Sequence, residues 1–73
     1  MAPGDYMRIR GDVDAGTWYG QTPNNLLANL RGHRVVEHED GTITAAPSIE
    51  VIGSFNEPGY WHGHLERGTW RSV

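Results

Sequence analysis

The chain has 73 residues, a formal charge of −3 and a sequence pI near 5.7. That length makes one domain, which buries roughly 60% of the surface its unfolded form exposes, so the core is small. With no cysteine, neither a disulfide nor a thiolate zinc site can staple it; the acidic balance argues against non-specific binding to nucleic acid or anionic membrane, and no stretch approaches the ~18 apolar residues of a membrane span.

Residues 1–5 read as an N-terminal arm punctuated by Pro3-Gly4, and residues 6–73 as the single domain. The start has no apolar h-region, so a secretory signal is not expected. Residues 6–10 alternate Tyr6, Arg8 and Arg10 with Met7 and Ile9, the pattern of an edge strand with Met7 and Ile9 inward. Arg10-Gly11-Asp12 spells an adhesion tripeptide, a match so short that chance explains it. Residues 12–16, DVDAG, have the opening of a calcium loop without its later oxygen ligands or closing Glu, and read as a polar turn.

A short helix is expected next, with Thr22 as N-cap, Pro23 at N1, Asn25 at N3, Arg31 in the last turn and Gly32 at C′. Leu26, Leu27 and Leu30 fall on one side of it as core. Residues 33–52 then form a hairpin about Asp40-Gly41, the strongest short-range hairpin signal. A two-residue turn sets Glu39 opposite Thr42, His38 opposite Ile43, Glu37 opposite Thr44 and Val36 opposite Ala45. Val36, His38, Ile43 and Ala45 then share the apolar face. Pro47 removes a ladder donor and should mark an outer edge or a strand break. Ile49 and Val51 resume extended structure, and residues 53–59 are a loop carrying Phe55. The last stretch, residues 60–73, reads as a second hairpin turning at Arg67-Gly68, with Leu65 opposite Trp70. Trp61, Gly63 and Leu65 share its inner face, Gly63 lying where a Trp ring covers the backbone.

The expected core is Ile9, Leu26, Leu27, Leu30, Val36, Ile43, Ile49, Val51, Trp61, Leu65 and Trp70. The expected fold class is α+β: a small, mostly antiparallel sheet of four to five strands in two hairpins, with one short helix.

The run Asp40-Gly41-Thr42-Ile43-Thr44, then Pro47-Ser48-Ile49, followed by Trp61-His62-Gly63, Leu65, Gly68 and Trp70, resembles a pattern in small uncharacterised actinobacterial and actinophage proteins. A broader family of unknown function, similar to these, carries an N-terminal cysteine cluster suggestive of zinc. The cysteine-free chain departs from it there, so that metal role does not transfer. The resemblance covers about half the chain and brings no established activity. It implies a phage or its actinobacterial host as source, and a minor virion component of capsid or tail as role, in the virion or the host cytoplasm.

His62 and His64 are the candidate metal pair, since i and i+2 on a strand point the same way, with Glu66, His38 or His33 as a third ligand. There is no phosphate loop, nucleophile elbow or diagnostic His-carboxylate spacing, so no enzyme activity and no cofactor are expected. Six basic residues against nine acidic ones leave nucleic acid and membrane out of the expected partners. Protein partners lead, in a virion lattice, a host target or a homo-oligomer, because seven large aromatics are many for so small a core and aromatic and Arg side chains anchor interfaces. Tyr6, Arg8, Trp18, Tyr19 and Phe55 are the expected contact residues. The alternative is an inhibitor or modulator of a host protein, presenting Glu37, Glu39, Asp40 and Glu50 as an acidic face.

Overall fold

A computed structural model describes residues 1–10 and 16–73. Among them are seven strands: β1 (Tyr6–Arg8), β2 (Trp18–Gln21), β3 (Leu27–Asn29), β4 (Arg34–Glu37), β5 (Ile43–Ile52), β6 (Tyr60–Glu66) and β7 (Thr69–Ser72). They form two antiparallel sheets, sheet A in the order β1-β2-β3 and sheet B in the order β4-β5-β6-β7. Their inner faces meet over Leu26, Ala28 and Leu30 on one side and Ile43, Ala45, Ile49, Trp61 and Leu65 on the other, with Tyr6, Trp18, Val35, Val51 and Trp70 packed around them. The adhesion-like tripeptide and the turn expected at residues 12–16 fall largely on residues 11–15, outside the described residues.

The fold is all-β, which corrects the expected α+β class. No helix occurs among the described residues; residues 22–25 close the β2–β3 hairpin instead. The Thr22 amide donates to the Leu26 carbonyl at 2.8 Å, the Leu26 amide donates back to Thr22 Oγ1 at 2.8 Å, and Asn25 takes a φ of 71°. The hydroxyl that would cap a helix thus pins a turn, and Thr22 is wholly buried. Beyond it the burial period is two: Leu26, Ala28 and Leu30 point inward while Leu27, 52% exposed, points out. Gly32, expected to end the helix, takes its positive φ in the β3–β4 turn, where the His33 amide reaches the Leu30 carbonyl.

The hairpin at Asp40-Gly41 forms with a register one residue from expectation. Glu37 pairs with Ile43, Val36 with Thr44 and Val35 with Ala45. The loop holds three residues: the Gly41 amide bonds the His38 carbonyl, the His38 amide bonds the Thr42 carbonyl, and Gly41 sits at φ 85°, the three-residue form that ends in a left-handed glycine. A one-residue slip exchanges faces, so Val35 is the residue that packs on the core and Val36 is exposed. The inward face of β1 is likewise reversed: Tyr6 packs on the core and Met7 is exposed.

The second hairpin has the expected register, with Glu66 opposite Thr69, Leu65 opposite Trp70 and His64 opposite Arg71. The Trp61 ring lies over Gly63, where a Cβ would stand 2.5 Å from its Cη2, and the Trp70 ring lies over Gly20 of sheet A. The two indoles meet edge to face with centroids 5.3 Å apart. Trp70 Nε1 donates to the Gly4 carbonyl at 3.0 Å, tying residues before β1 to β7. Pro47 sits where β4 has ended, since Arg34 and Ala46 form its last pair, and where the β5–β6 register shifts between Ala45 and Ile49. Its missing N–H therefore breaks no regular pair.

Candidate protein-binding surface

The outer face of sheet A sets apolar side chains among polar ones. The inner face holds Leu26, Ala28 and Leu30; the outer face holds Met7 and Tyr19, directly paired across β1 and β2, and Leu27 on β3, with Gln21 opposite Leu27 and Asn29 opposite Tyr19. Met1, Met7, Ile9, Tyr19 and Leu27 line a shallow groove of about 410 Å³. Leu27 also borders a second groove with Leu26, Val51, Ile52, Gly53, Ser54 and Glu57 at the β5–β6 loop. Ile52, which lines it, is 75% exposed; its strand partner Tyr60 is 54% exposed, and Phe55 in the loop between them 99%. Leu27 thus joins the outer face of sheet A to the exposed Ile52.

That loop is held in shape by its own backbone. The Gly53 amide donates to the Gly59 carbonyl at 2.7 Å, the Ser54 amide to the Glu57 carbonyl at 2.9 Å, and the Glu57 amide to Ser54 Oγ at 3.1 Å. Asn24 Nδ2 donates to the Tyr60 carbonyl at 3.0 Å, fastening the loop to the β2–β3 turn. The Tyr60 hydroxyl donates to Glu50 Oε2 at 2.7 Å, and that bond is the chief cause that pushes its pKa above the ordinary value. All six basic residues are arginine, and none falls in residues 50–60 or 21–29, so the loop end of the sandwich carries the Glu50 and Glu57 carboxylates without a cation of its own.

The contact residues expected from sequence lie in three places. Tyr6, Arg8 and Trp18 come together on the inner side of sheet A: the Tyr6 and Trp18 rings are 6.3 Å apart, and the Arg8 guanidinium stands 5.1 Å from the Trp18 ring and 3.2 Å from Glu37 Oε1. They form a stack at the rim between the sheets. Tyr19 is half-buried on the outer face, and Phe55 is at the loop tip. Sequence reasoning missed Met7, Leu27, Ile52 and Tyr60. A period of two through residues 26–30 was the signal that would have turned Leu27 outward.

His62 and His64 lie on the outer face of sheet B. His62 Nε2 is 3.2 Å from Ser48 Oγ, while His33 Nε2 donates to the Ser48 carbonyl at 3.2 Å and His38 Nε2 is 2.7 Å from Thr44 Oγ1. Among the described residues no group of three or more His, Cys, Asp or Glu side chains converges to hold a metal ion. Of the four acidic residues considered as one face, Glu37, Glu39 and Asp40 border one groove with His38 and Arg67, Glu37 also pairing with Arg8, while Glu50 lies elsewhere with Tyr60. Asp40 titrates below its ordinary value, chiefly because the Thr42 hydroxyl, and then the Thr42 amide, donate to its carboxylate. Among the described residues no helix is long and apolar enough to cross a membrane.

Comparisons with protein-family models, curated proteins and solved structures give no match.

Proposed function

We propose that this chain is a non-enzymatic module that binds another protein through the outer face of sheet A. The observation that carries this reading is the apolar groove that Met1, Met7, Ile9, Tyr19 and Leu27 line on the outer face of sheet A, continued by Leu27 to Ile52. A sheet normally turns an apolar face to the core and a polar one to water. Sheet B turns Thr44, Ser48, Glu50, His62 and His64 outward, with the exposed pair Ile52 and Tyr60 where β5 and β6 meet their loop. In the setting that the sequence resemblance implies, the partner is a neighbouring chain of a virion, and the module is a minor capsid or tail accessory. The second role is modulation of a host protein by the same surface.

The test is a photo-crosslinking amino acid placed at Leu27 or Met7, with His64 on the outer face of sheet B as the control position. A single protein captured from both strip positions and not from position 64 is the expected result. Equal capture from all three positions, or capture from 64 alone, refutes the assignment. Mass analysis of purified particles separates the roles: a fixed copy number in particles supports the virion role, and its absence with a soluble host protein crosslinked at Leu27 supports the modulator.

A further inference from the structure

We infer that the β5–β6 loop is a preformed plug for an apolar pocket rimmed by Lys or Arg on the partner protein. This rests on the protein-binding reading above and names the chemistry of the partner at one end of that surface.

Three observations combine. Phe55 is 99% exposed, in a loop that springs from the exposed strand-end pair Ile52 and Tyr60. The loop is rigid at its base: besides its three internal hydrogen bonds, Gly53 is packed so closely that an added Cβ would stand 2.7 Å from Gly59 N. A large aromatic held out on a fixed loop loses little conformational entropy on insertion, which favours a tight anchor. The third observation is charge. Residues 50–60 contain Glu50 and Glu57 and no Lys or Arg; Glu57 is in the loop with Phe55, and Glu50 stands on β5 where the Tyr60 hydroxyl bonds it, so insertion of Phe55 brings acidic charge toward whatever receives it.

That charge selects among occupants. A lipid surface is disfavoured, because interfacial insertion relies on cations meeting anionic headgroups, and this loop offers only anions. A second copy joined loop to loop would set four carboxylates against one another across a small apolar contact. A protein pocket with a basic rim meets both the exposed ring and the acidic charge of this segment.

The experiment uses the full chain with a benzophenone amino acid in place of Phe55. The captured protein is identified by mass spectrometry, and its purified form is titrated with the wild-type chain, with Phe55→Ala and with the double variant Glu50→Gln/Glu57→Gln. Phe55 touches no core residue, so an unchanged melt certifies that Phe55→Ala is folded. The expected result is an adduct mapping to a concave site bordered by Lys or Arg. Phe55→Ala should weaken binding at least about tenfold, and the double glutamine variant should lose most of the salt dependence. No adduct at position 55, unchanged affinity for Phe55→Ala, or salt-independent wild-type binding overturns the inference. Flotation with phosphatidylcholine or phosphatidylglycerol vesicles that Phe55→Ala abolishes overturns it in favour of a membrane, and self-association that Phe55→Ala abolishes does so in favour of a second copy. If position 27 captures a protein and position 55 does not, the strip reading stands and the plug falls; if neither does, both fall.

Discussion

Gly63→Ala tests the arrangement on which the two sheets close. In an ordinary strand this substitution stabilises by about 0.5–1 kcal/mol, because glycine loses more freedom on folding than alanine. Here the new methyl would stand 2.5 Å from Cη2 and 2.8 Å from Cζ2 of Trp61, and it would collide with the Arg71 carbonyl of β7. Trp61 is 6% exposed and has no free side to move into, so the ring and β7 must both shift. Overpacking of this kind costs about 1–3 kcal/mol. Disturbing the edge-to-face contact with Trp70 adds about 0.5–1.5 kcal/mol. The net loss is about 2 kcal/mol, against a total stability on the order of 4–11 kcal/mol for a chain of this length. The melting midpoint should fall by about 8–16 °C.

The control is Gly41→Ala, where the φ of 85° strains any side chain but nothing lies within 4 Å of the new methyl. Left-handed strain alone costs about 1–2 kcal/mol. Urea melts followed by tryptophan emission distinguish the two, because only Gly63→Ala should also alter the emission of the native state. A Gly63→Ala chain as stable as wild type, with unchanged native emission, would refute the placement of Trp61 over β6.

Leu26→Ala should cost about 2–5 kcal/mol while Leu27→Asp stays within about 0.5 kcal/mol of wild type in a urea melt; equal losses would restore a helical face for this segment. Tyr60 titrates above its ordinary 10.0 because its hydroxyl donates to Glu50. The stability from that bond is therefore whole below pH 10 and is lost as pH rises through the raised pKa, and Glu50→Gln should return the phenol toward its ordinary value in an ultraviolet titration. Asp40 is shifted below 3.8 by Thr42, so its contribution is present above that pH and is lost as pH falls through the lowered value. An Asp40 carboxyl titration by NMR that Thr42→Val leaves unmoved would remove Thr42 as the cause.

What the sequence made legible, and what it hid, follows from how many geometries each signal admits. Arg67-Gly68 between alternating residues admits one compact turn, and both residues take positive φ, 45° and 78°, so register and inner face were readable. Asp40-Gly41 admits two turns. Gly41 served as the third residue of a longer loop, and that single extra residue moved Val36 outward and Val35 inward. Thr22-Pro23 was more ambiguous still, since a hydroxyl followed by proline opens a helix or a hairpin loop with equal local chemistry. The doublet Leu26-Leu27 fits both periods, and Ala28, the inward residue that decides for a strand, is too small to mark a hydrophobic position. Ala28 is small because Gly20 beside it receives the Trp70 ring from the other sheet, a constraint set by residues far away in sequence. The surface was hidden for the same reason: Met7, Tyr19 and Leu27 become one face only when residues 26–30 are a strand.

Two packed sheets satisfy their inner faces with each other, and the outer faces then reveal what the pair is built to meet. Sheet B presents hydroxyls, histidines and charges, with Ile52 and Tyr60 exposed at the end that meets the β5–β6 loop. Sheet A presents Met7, Tyr19 and Leu27 beside Gln21 and Asn29, apolar and aromatic contacts with polar neighbours, as protein interfaces combine them. Size makes the requirement concrete. A standard interface takes about 800 Å² from each partner, roughly a sixth of the 4958 Å² that this chain exposes. The outer face of a three-stranded sheet is too narrow to supply that area alone. Ile52, reached through Leu27, widens the apolar surface beyond the sheet to the edge of the loop that carries Phe55. A partner that covered only Met7 and Tyr19 would leave the most exposed aromatic of the chain in water, and one that grasped only Phe55 would leave the sheet face bare. The surface is therefore expected to act as a unit, so that Leu27→Asp, at the joint between its halves, should weaken partner binding more than Met7→Ala, measured by titration against the captured partner; the reverse order would show that the two halves bind separately.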